Sequence, residues 1–478
     1  MMVERLYPYM PVWVQNLGIS LYGLSYRRER LGGNFEKYVQ EFRARDHWTC
    51  QQMTAYVEER LRTLLLHSFD NVPYYRARWG SAGITRGDIA IMSLADLPRL
   101  PVTPKADLRS APTTFVAQNL GRKELLRYYT SGSTGTPITC IYTRDAHRRF
   151  VAAREVRSFG WAGTTILGPR SMLGGRLVVP RANSRAPYYR YNWAEKQVYF
   201  SSFHISPDRV PNYVEGLNRY RPRVLTGYAS AHYLLARRMI QQNLRLEYRP
   251  DAVILSSEKL TAEMRDWISR AFNAPAYEEW GSVENCALAT ECEFGRLHVS
   301  PDFGIVEIVD EQGLPVSPGA HGRMLCTGLL NSAQPLIRYD IGDRGVYATS
   351  GCQCGRDQLP VLEDVLGRVE DVVVGLDGRE MVRFHGIFIN LPHVLEGQII
   401  QENRDLIRVK VVPVEGFGEK EEALIRERIT KGRLGPVNVQ IERVAELERT
   451  DGGKVRAVIS RIPREERIRA ALHGERPA

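Results

Sequence analysis

The sequence predicts an α/β protein with a large N-terminal domain of layered sheets and helices, a β-rich subdomain within it, and a small mobile α+β C-terminal domain. From about residue 128, short apolar runs alternate with helical patterns, which is typical of a largely parallel sheet covered by helices. Past residue 300 the pattern changes to strands separated by Gly, Pro and Asp turns. At 478 residues the chain can bury more than one core. We therefore predict two domains, residues 1–367 and 368–478.

The N-terminal part is predicted to be helical. Apolar residues recur at helical spacing across residues 34–78, up to the turn signal Asn71-Val72-Pro73. An apolar stripe nearer the N-terminus is expected to pack onto the body of the protein, and the alternative is a weak interfacial role at a membrane surface. The stripe consists of Leu6, Tyr7, Met10, Trp13, Val14 and Leu17. Because Glu4 and two prolines interrupt the first residues, neither a cleaved signal nor a membrane span is expected.

The middle of the chain predicts two strand–helix units. Residues 224–225 and 252–255 are expected to be short buried strands, and the helical runs 231–242 and 261–272 follow them. The β-rich subdomain is predicted to contain strands at residues 304–309, 323–327 and 345–348.

Charge and cysteine content restrict the functional class only loosely. The chain carries 65 Lys and Arg against 55 Asp and Glu, a formal charge of +10 that is spread along the sequence. This surplus suits polyanionic small ligands such as nucleotides, and equally nucleic acid or an acidic membrane surface. Seven cysteines is an odd count, which favours reduced thiols and a cytoplasmic location.

A run of hydroxyl and glycine residues follows the apolar segment 125–129. It reads Thr130-Ser131-Gly132-Ser133-Thr134-Gly135-Thr136-Pro137. Glycines let consecutive backbone N–H groups turn toward an anion, and hydroxyls add further donors, so this loop is predicted to cradle phosphates. The alternative is a flexible Ser/Gly loop without a ligand.

A second candidate segment combines an aromatic ring with a carboxylate. It reads Glu279-Trp280-Gly281-Ser282-Val283-Glu284. Trp280 offers a ring face on which an aromatic ligand can stack, and Glu284 offers a hard oxygen ligand for a cation such as Mg²⁺. The alternative is the end of a strand with a buried Trp and a surface Glu.

Five further segments combine glycine or serine with charged or aromatic residues. In chain order they are Gly227-Tyr228-Ala229-Ser230, Ser256-Ser257-Glu258, Tyr339-Asp340-Ile341-Gly342-Asp343, Gly367-Arg368-Val369-Glu370-Asp371 and Asp451-Gly452-Gly453-Lys454. The first two follow predicted strands, where either could be a strand-to-helix turn with an N-cap. In the third, Asp340 competes with Asp343 for a binding role, and the alternative is a structural pairing of Arg338 with Asp340.

In this order the segments resemble the motifs of the adenylate-forming superfamily, which includes acyl-CoA synthetases, peptide-synthetase adenylation domains and luciferases. The resemblance extends from about residue 71 to residue 454. Ile138 stands where the phosphate loop usually ends in lysine, a departure shared with the phenylacetate-CoA ligase family. Within that family the sequence looks closest to the CapK branch, judged by residues 71–75 and 100–105.

The resemblance implies a role for each segment. Residues expected to bind ATP are Thr130, Ser131, Gly132, Ser133, Thr134, Gly135, Ser257, Glu258, Glu279, Trp280, Gly281, Ser282, Asp343 and Arg368. Asp343 is expected to accept hydrogen bonds from both ribose hydroxyls, for which two carboxylate oxygens are well suited. Gly227, Tyr228 and Trp280 are expected to border the carboxylic acid.

The resemblance also implies the catalytic groups. Lys454 is expected to bring a cation to the α-phosphate, Glu284 to bind Mg²⁺ and Thr134 to hold the phosphates. Rotation of the C-terminal domain about Glu370 and Asp371 is expected to exchange Lys454 for the second nucleophile.

These expectations describe an ATP-dependent ligase that converts an aryl or acyl acid into an acyl-AMP and then transfers the acyl group to CoA. One alternative acceptor is an amine, a hydroxyl or a carrier-protein thiol. A nucleotide-binding scaffold without turnover is a second alternative. A third, a nucleic-acid or membrane binder, is prompted by the basic residues between 170 and 190. The expected partners are small molecules, with no nucleic acid, and a homodimer is the default expectation.

A structural Zn²⁺ site is the remaining hypothesis. Cys352 and Cys354 form a pair in a predicted turn, and Cys292 lies six positions before His298. Two such pairs can hold Zn²⁺ tetrahedrally, and members of the family resemble this layout. The alternative is a set of reduced thiols without a metal.

Overall fold

Most described residues form helices and strands around one mixed twelve-stranded sheet. The computed structural model describes residues 6–121, 124–130, 138–179, 184–366, 373–376, 380–381, 387–388, 391, 393–448 and 456–463. The α/β fold class predicted from the sequence is confirmed. No helix in these ranges has the length and hydropathy needed to cross a membrane.

The α-helices flank the sheets. Within the described ranges they are α1 Val12–Leu31, α2 Phe35–Arg45, α3 Cys50–Asn71, α4 Pro73–Ser81, α5 Arg86–Ala90, α6 Lys105–Ser110, α7 Arg144–Arg154, α8 Val210–Tyr220, α9 Ala229–Gln241, α10 Ala262–Phe272 and α11 Glu419–Ile429. The predicted helical region 34–78 is confirmed as α2, α3 and most of α4. Its turn signal falls between α3 and α4, where Pro73 occupies the first helical position because its ring suits that geometry.

The strands follow the same order along the chain. They are β1 Leu125–Tyr129, β2 Thr139–Thr143, β3 Arg170–Gly174, β4 Tyr189–Asn192, β5 Gln197–Ser201, β6 Val224–Tyr228, β7 Ala252–Ser256, β8 Ala276–Gly281, β9 Leu288–Glu291, β10 Leu297–Val299, β11 Gly304–Val309, β12 Gly322–Gly328, β13 Tyr339–Tyr347, β14 Val361–Leu366, β15 Val373–Val374, β16 Glu380–Met381, β17 Val394–Gln401, β18 Leu406–Pro413, β19 Asn438–Arg443 and β20 Val458–Ser460. The predicted strand–helix units are confirmed as β6–α9 and β7–α10.

The large sheet has a parallel part and an antiparallel part. Its strand order is β11-β12-β13-β14-β10-β9-β8-β7-β6-β3-β5-β4. The five neighbours β5, β3, β6, β7 and β8 are parallel, and their carboxyl ends therefore meet at one edge. The strands predicted after residue 300 form the antiparallel part as β11, β12 and β13. A separate sheet, β19-β18-β17-β20, lies near the C-terminus.

The apolar stripe near the N-terminus packs on the body only in part, which differs from the sequence prediction: Tyr7, Met10 and Val14 are half-buried. Trp13 remains 69% exposed and Leu17 44% exposed. The buried side of the helix is instead polar or small, and Gln15 and Gly23 belong to it. Gln15 donates to the backbone carbonyl of Met10 at 2.9 Å, so its buried amide is satisfied. Hydrogen bonds to β4, such as that from the N–H of Tyr191 to Oδ1 of Asn16 at 3.0 Å, therefore attach α1 together with the partly buried Ile19.

A buried cluster of charged side chains joins three segments that are far apart in the sequence. Nε of Arg45 lies 2.6 Å from Oδ2 of Asp302, and Nη2 of Arg157 lies 3.1 Å from the same oxygen. Both the Asp302 and Arg157 side chains are fully buried. Burial by itself would raise the pKa of Asp302, but the two guanidinium groups hold it below its usual value.

Candidate active site

The carboxyl ends of β6 and β7 form the first part of the site. Gly227 has φ of +139°, and a Cβ there would lie 2.0 Å from the carbonyl oxygen of Leu173 on β3, so only glycine fits. Glu258, which follows β7, accepts the backbone N–H of Ser230 at 2.9 Å and also its hydroxyl. The predicted segments at Gly227–Ser230 and Ser256–Glu258 are therefore adjacent. The alternative is realised only as a strand-to-helix turn, because β6 leads directly into α9, whose N-cap residue Tyr228 makes no side-chain cap.

Strand β8 contributes the next residues, and β13 meets them. The indole Nε1 of Trp280 donates to Oδ2 of Asp343 at 3.1 Å. Trp280 is largely buried, while Asp343 keeps partial exposure. The structure thus brings these two predicted residues together, and the indole N–H fixes one carboxylate oxygen. The contact found for Trp280 is a hydrogen bond that orients Asp343.

Glu284 is buried beside a lysine and a tyrosine. Oε1 of Glu284 accepts the hydroxyl of Tyr339 at 3.1 Å and lies 3.2 Å from Nζ of Lys105, at the start of α6. Burial would raise the pKa of Glu284, but the charge of Lys105 lowers it below its usual value. Glu284 is therefore an ionised carboxylate, and not the surface residue of the alternative reading.

The loop of hydroxyl and glycine residues connects the two strands of one β-hairpin. Strands β1 and β2 pair antiparallel, with Tyr129 opposite Thr139. The N–H of Thr130 donates to the carbonyl of Ile138 at 3.0 Å, and its Oγ1 accepts the N–H of Ile138 at 2.9 Å. Thr130 therefore closes the base of the loop. Ser131, Gly132, Ser133, Thr134 and Gly135 lie outside the described residues.

Arg154 of α7 holds the residues around the end of β8 through an ion pair and a hydrogen bond. Nε of Arg154 lies 3.1 Å from Oε1 of Glu279, and its Nη1 donates to Asn285 at 3.1 Å. Gly281 ends β8, and the N–H of Asn285 returns to the carbonyl of Ser282 at 3.2 Å, which closes a tight turn. Arg154 thus bridges the strand end to the turn that carries Glu284.

The alternative pairing of Arg338 with Asp340 is wrong. Arg338, with φ of +46°, pairs with Glu307 at 3.0 Å and donates to the carbonyl of Leu100 at 2.7 Å. Asp340 instead pairs with Arg323 at 2.9 Å. Because that pairing occupies Asp340, Asp343 is the better candidate for the predicted ribose contact.

Besides the loop residues, four more predicted residues lie outside the described residues. They are Arg368, Glu370 and Asp371 of the predicted hinge and the predicted catalytic Lys454. Their roles remain predictions from the sequence.

The four residues of the zinc hypothesis converge. Sγ of Cys292 lies 3.6 Å from Sγ of Cys352, and Sγ of Cys354 lies 3.3 Å from Nε2 of His298. All four ligand atoms lie within 4.8 Å of one another. Nδ1 of His298 lies 2.8 Å from the carbonyl oxygen of Leu359, an arrangement that directs Nε2 toward the thiols.

Two functional candidates were missed by sequence reasoning. Lys105 was noted only as part of a family-like segment, and Arg154 was not singled out. Lys105 pairs with Glu284, and Arg154 pairs with Glu279. Both partners are distant in the sequence. Ile138 stands where the phosphate loop of the superfamily usually ends in lysine, and this absence was the one sequence signal that pointed to a cation from elsewhere in the chain.

Known proteins resemble this chain along nearly its whole length. The protein CapK of Staphylococcus aureus is 25% identical over 476 residues, covering 96% of this chain and 100% of CapK. Phenylacetate-coenzyme A ligase of Thermus thermophilus is 26% identical over 451 residues, covering 86% of this chain and 96% of the ligase. The chain is a homologue of CapK and of the phenylacetate-CoA ligases.

The C-terminal part and the fold of this CapK homologue agree with that relationship. Residues 379–461 match the CapK C-terminal domain family. The crystal structure of 2-hydroxyisobutyryl-CoA ligase, in complex with 2-HIB-AMP and CoA, has a TM-score of 0.57 at 20% identity and covers 90% of this chain and 94% of the ligase. The chain therefore shares the fold of this ligase.

Proposed function

We propose that the protein is an ATP-dependent, AMP-forming acid–thiol ligase. A carboxylate oxygen of the acid attacks the α-phosphorus of ATP, the bond to pyrophosphate breaks, and an acyl-AMP forms. The CoA thiol, losing its proton, then attacks the acyl carbon, and AMP leaves. A carboxylate is itself unreactive toward thiols, so the adenylate supplies the leaving group. Positioning and charge stabilisation carry the catalysis.

The observation that carries this proposal is the pairing of two carboxylates with defined partners at one edge of the sheet. Asp343, oriented by Trp280, offers acceptors to a ribose diol. Glu284, ionised beside Lys105, offers an oxygen to Mg²⁺, which usually keeps waters and phosphates as its other ligands. When bound, Mg²⁺ would neutralise phosphate charge. Lys105 would supply a cation that Ile138 cannot supply from the phosphate loop.

The remaining roles in this proposal rest on the resemblance of the motifs. The loop from Thr130 to Gly135 holds phosphates, Lys454 approaches the α-phosphate, and rotation about Glu370 and Asp371 removes Lys454 before thiol attack. These assignments concern residues that are mostly outside the described ranges. Their support is the order of the motifs and the homology of the whole chain to phenylacetate-CoA ligases.

CoA is the acceptor that the homologues favour. Four homologues carry the name phenylacetate-coenzyme A ligase, each 24 to 27% identical to this chain. An amine, a hydroxyl or a carrier-protein thiol is the alternative acceptor, because the name CapK specifies none.

We also propose that Cys292, His298, Cys352 and Cys354 bind one structural Zn²⁺. Tetrahedral Zn–S bonds of about 2.3 Å separate two sulfurs by about 3.8 Å, close to the 3.6 Å between Cys292 and Cys352. The metal would join the end of β9, β10 and the turn before β14, away from the nucleotide residues. Reduced thiols fit a cytoplasmic enzyme, which is the location we propose, and a homodimer is its proposed assembly.

The test is pyrophosphate release from MgATP over a panel of aryl, short acyl and dicarboxylic acids, without CoA. Release that depends on one class of acid and falls by a factor of about 100 or more in Lys454→Ala supports adenylation. CoA, amines and a carrier protein are then compared as acceptors of the acyl group. No release with any acid, in a protein that binds ATP, contradicts the ligase and favours the nucleotide-binding scaffold.

A further inference from the structure

A cavity of about 220 Å³ lies against one face of the parallel strands and reaches the proposed active site. Its floor includes Thr226, Gly227, Ser256 and Glu279, from β6, β7 and β8. Helices α1 and α7 cover it from above. Because it joins the predicted acid-binding residue Gly227 to the nucleotide side at Glu279, this cavity is the natural place for the acid. Its volume is below the range of about 300–1,000 Å³ usual for drug-sized ligands, so a small acid fits.

The cavity has an excess of positive charge. Arg30 and Arg170 line it, and both pair with the single carboxylate of Glu195. Arg154 pairs with Glu279. Burial, with a smaller contribution from the charge of Arg30, lowers the pKa of Arg170 to about 10 despite the attraction of Glu195. The rest of the lining includes the apolar side chains of Phe159, Ile166, Met172 and Ile254, so the cavity combines an apolar surface with several guanidinium groups.

Arg176, two residues past the end of β3, is the guanidinium without a counterion. Within the described part of the chain no carboxylate lies within ion-pair distance of it. The adjacent residues 180–183 are Pro, Arg, Ala and Asn, so they add no acidic group. The Arg176 side chain is exposed where it lines the cavity, and it is therefore accessible to a ligand.

The same guanidinium is held in place by aromatic neighbours. Its Nη1 donates to the hydroxyl of Tyr199 at 3.2 Å. Its Cζ lies 5.0 Å from the ring centre of Tyr199 and 5.8 Å from that of Tyr26. Cation–π contacts and one hydrogen bond restrict the side chain and leave its other N–H groups available. A restricted guanidinium with spare donors is suited to bind a carboxylate through two hydrogen bonds.

The position of Arg176 separates it from the reacting carboxylate. In the sheet β6 and β7 lie between β3 and β8, so Arg176 follows a strand about 14 Å from the one that ends at the nucleotide residues. We propose that the acid carries a second anionic group at its far end and that Arg176 binds that group. The inference rests on the proposed ligase activity and narrows the aryl or acyl acid expected from the resemblance to a small dicarboxylic acid.

The experiment compares acids that differ only in the far group: hexanoate with adipate, and octanoate with suberate, by MgATP-dependent pyrophosphate release. We expect the dicarboxylic member of at least one pair to be preferred in kcat/KM by about 10- to 100-fold, the range of one charge-assisted hydrogen bond. Arg176→Met should abolish the preference mainly through KM, and Arg176→Lys should restore part of it. Arg270→Met, which removes an exposed cation on α10, is the matched control and should keep the preference.

The outcomes separate the two proposals. Equal use of both members of each pair, or a preference that survives Arg176→Met, overturns the inference and leaves the ligase intact. A dicarboxylate preference that Arg176→Met removes and Arg270→Met keeps supports it. If no acid releases pyrophosphate, the proposed ligase activity fails, and the inference falls with it.

Discussion

Nζ of Lys105 lies 3.2 Å from Oε1 of Glu284, so an ammonium ion from the N-terminal part of the chain faces the carboxylate proposed to bind Mg²⁺. The carboxylate is fully buried, and burial disfavours its charge. Lys105 therefore keeps Glu284 ionised. The charge that the proposed Mg²⁺ ligand needs thus depends on Lys105.

Replacing Lys105 by Met should shift the pH dependence of pyrophosphate release. Without the ammonium ion, burial raises the pKa of Glu284, so the ionised form is lost at a higher pH. We expect the acidic limb of the pH profile to move up by about one unit or more. Lys105→Arg should keep the limb near its original position. Lys259→Met, which breaks a pair with Asp364, is the control. An unmoved limb in Lys105→Met would show that Lys105 does not control Glu284.

Replacing Trp280 by Phe should weaken ATP binding without unfolding the protein. The substitution keeps an aromatic ring in the core and removes the N–H that orients Asp343, together with part of the volume of the indole. We expect KM for ATP to rise by about 3- to 10-fold with a smaller change in kcat, the size of one neutral hydrogen bond. Asp343→Asn should cost more. Equal effects on ATP and on the acid would contradict a role in ribose binding.

Zinc content should depend on the four-residue cluster. Metal analysis of the purified protein is expected to give about one Zn²⁺ per chain, and Cys352→Ser should remove it and lower the melting temperature by about 5 °C or more. Cys50→Ser, at an exposed cysteine, is the matched control and should keep the metal. Protein purified with full stability and no zinc would refute the site.

Removing the charge of Asp302 should destabilise the fold strongly. Asp302→Asn leaves Arg45 and Arg157 without their shared carboxylate, which costs about 3–5 kcal/mol in the free energy of unfolding. Because the folded-state pKa of Asp302 is depressed, its contribution is present above its unfolded pKa of about 4 and is lost as the pH falls below it. The difference between the two proteins in urea unfolding should therefore shrink at acidic pH. Asp266→Asn, on an exposed face of α10, should change stability by less than about 1 kcal/mol.

Local sequence patterns predicted the elements of the parallel sheet well. Strands β6 and β7 and helices α9 and α10 begin and end within a few residues of their predicted limits, because apolar runs and caps are local signals. Helix α1 shows the limit of such local signals. The periodicity identified an apolar stripe, but which residues of the helix are buried depends on contacts with segments that are distant in the sequence.

The same division applies to the candidate site. The resemblance of the motifs singled out Trp280, Glu284 and Asp343, and the fold joins Trp280 to Asp343 by a hydrogen bond. The contacts of Lys105 and Arg154 could not be predicted, because they join segments that only the folded sheet brings near. The assumed Arg338–Asp340 pair failed for a local reason: the positive φ of Arg338 turns its side chain toward Glu307.

The crowding of Gly227 against the carbonyl of Leu173 restricts how acid selectivity can be redesigned. No side chain can be added at the centre of the cavity floor without separating β6 from β3. Substitutions that change the cavity must therefore be made in the residues of the helices that cover it, such as Tyr26 of α1 and Arg154 of α7, or at Arg176. A mutant library aimed at new acids should leave the strands of the floor unchanged and vary these lining residues.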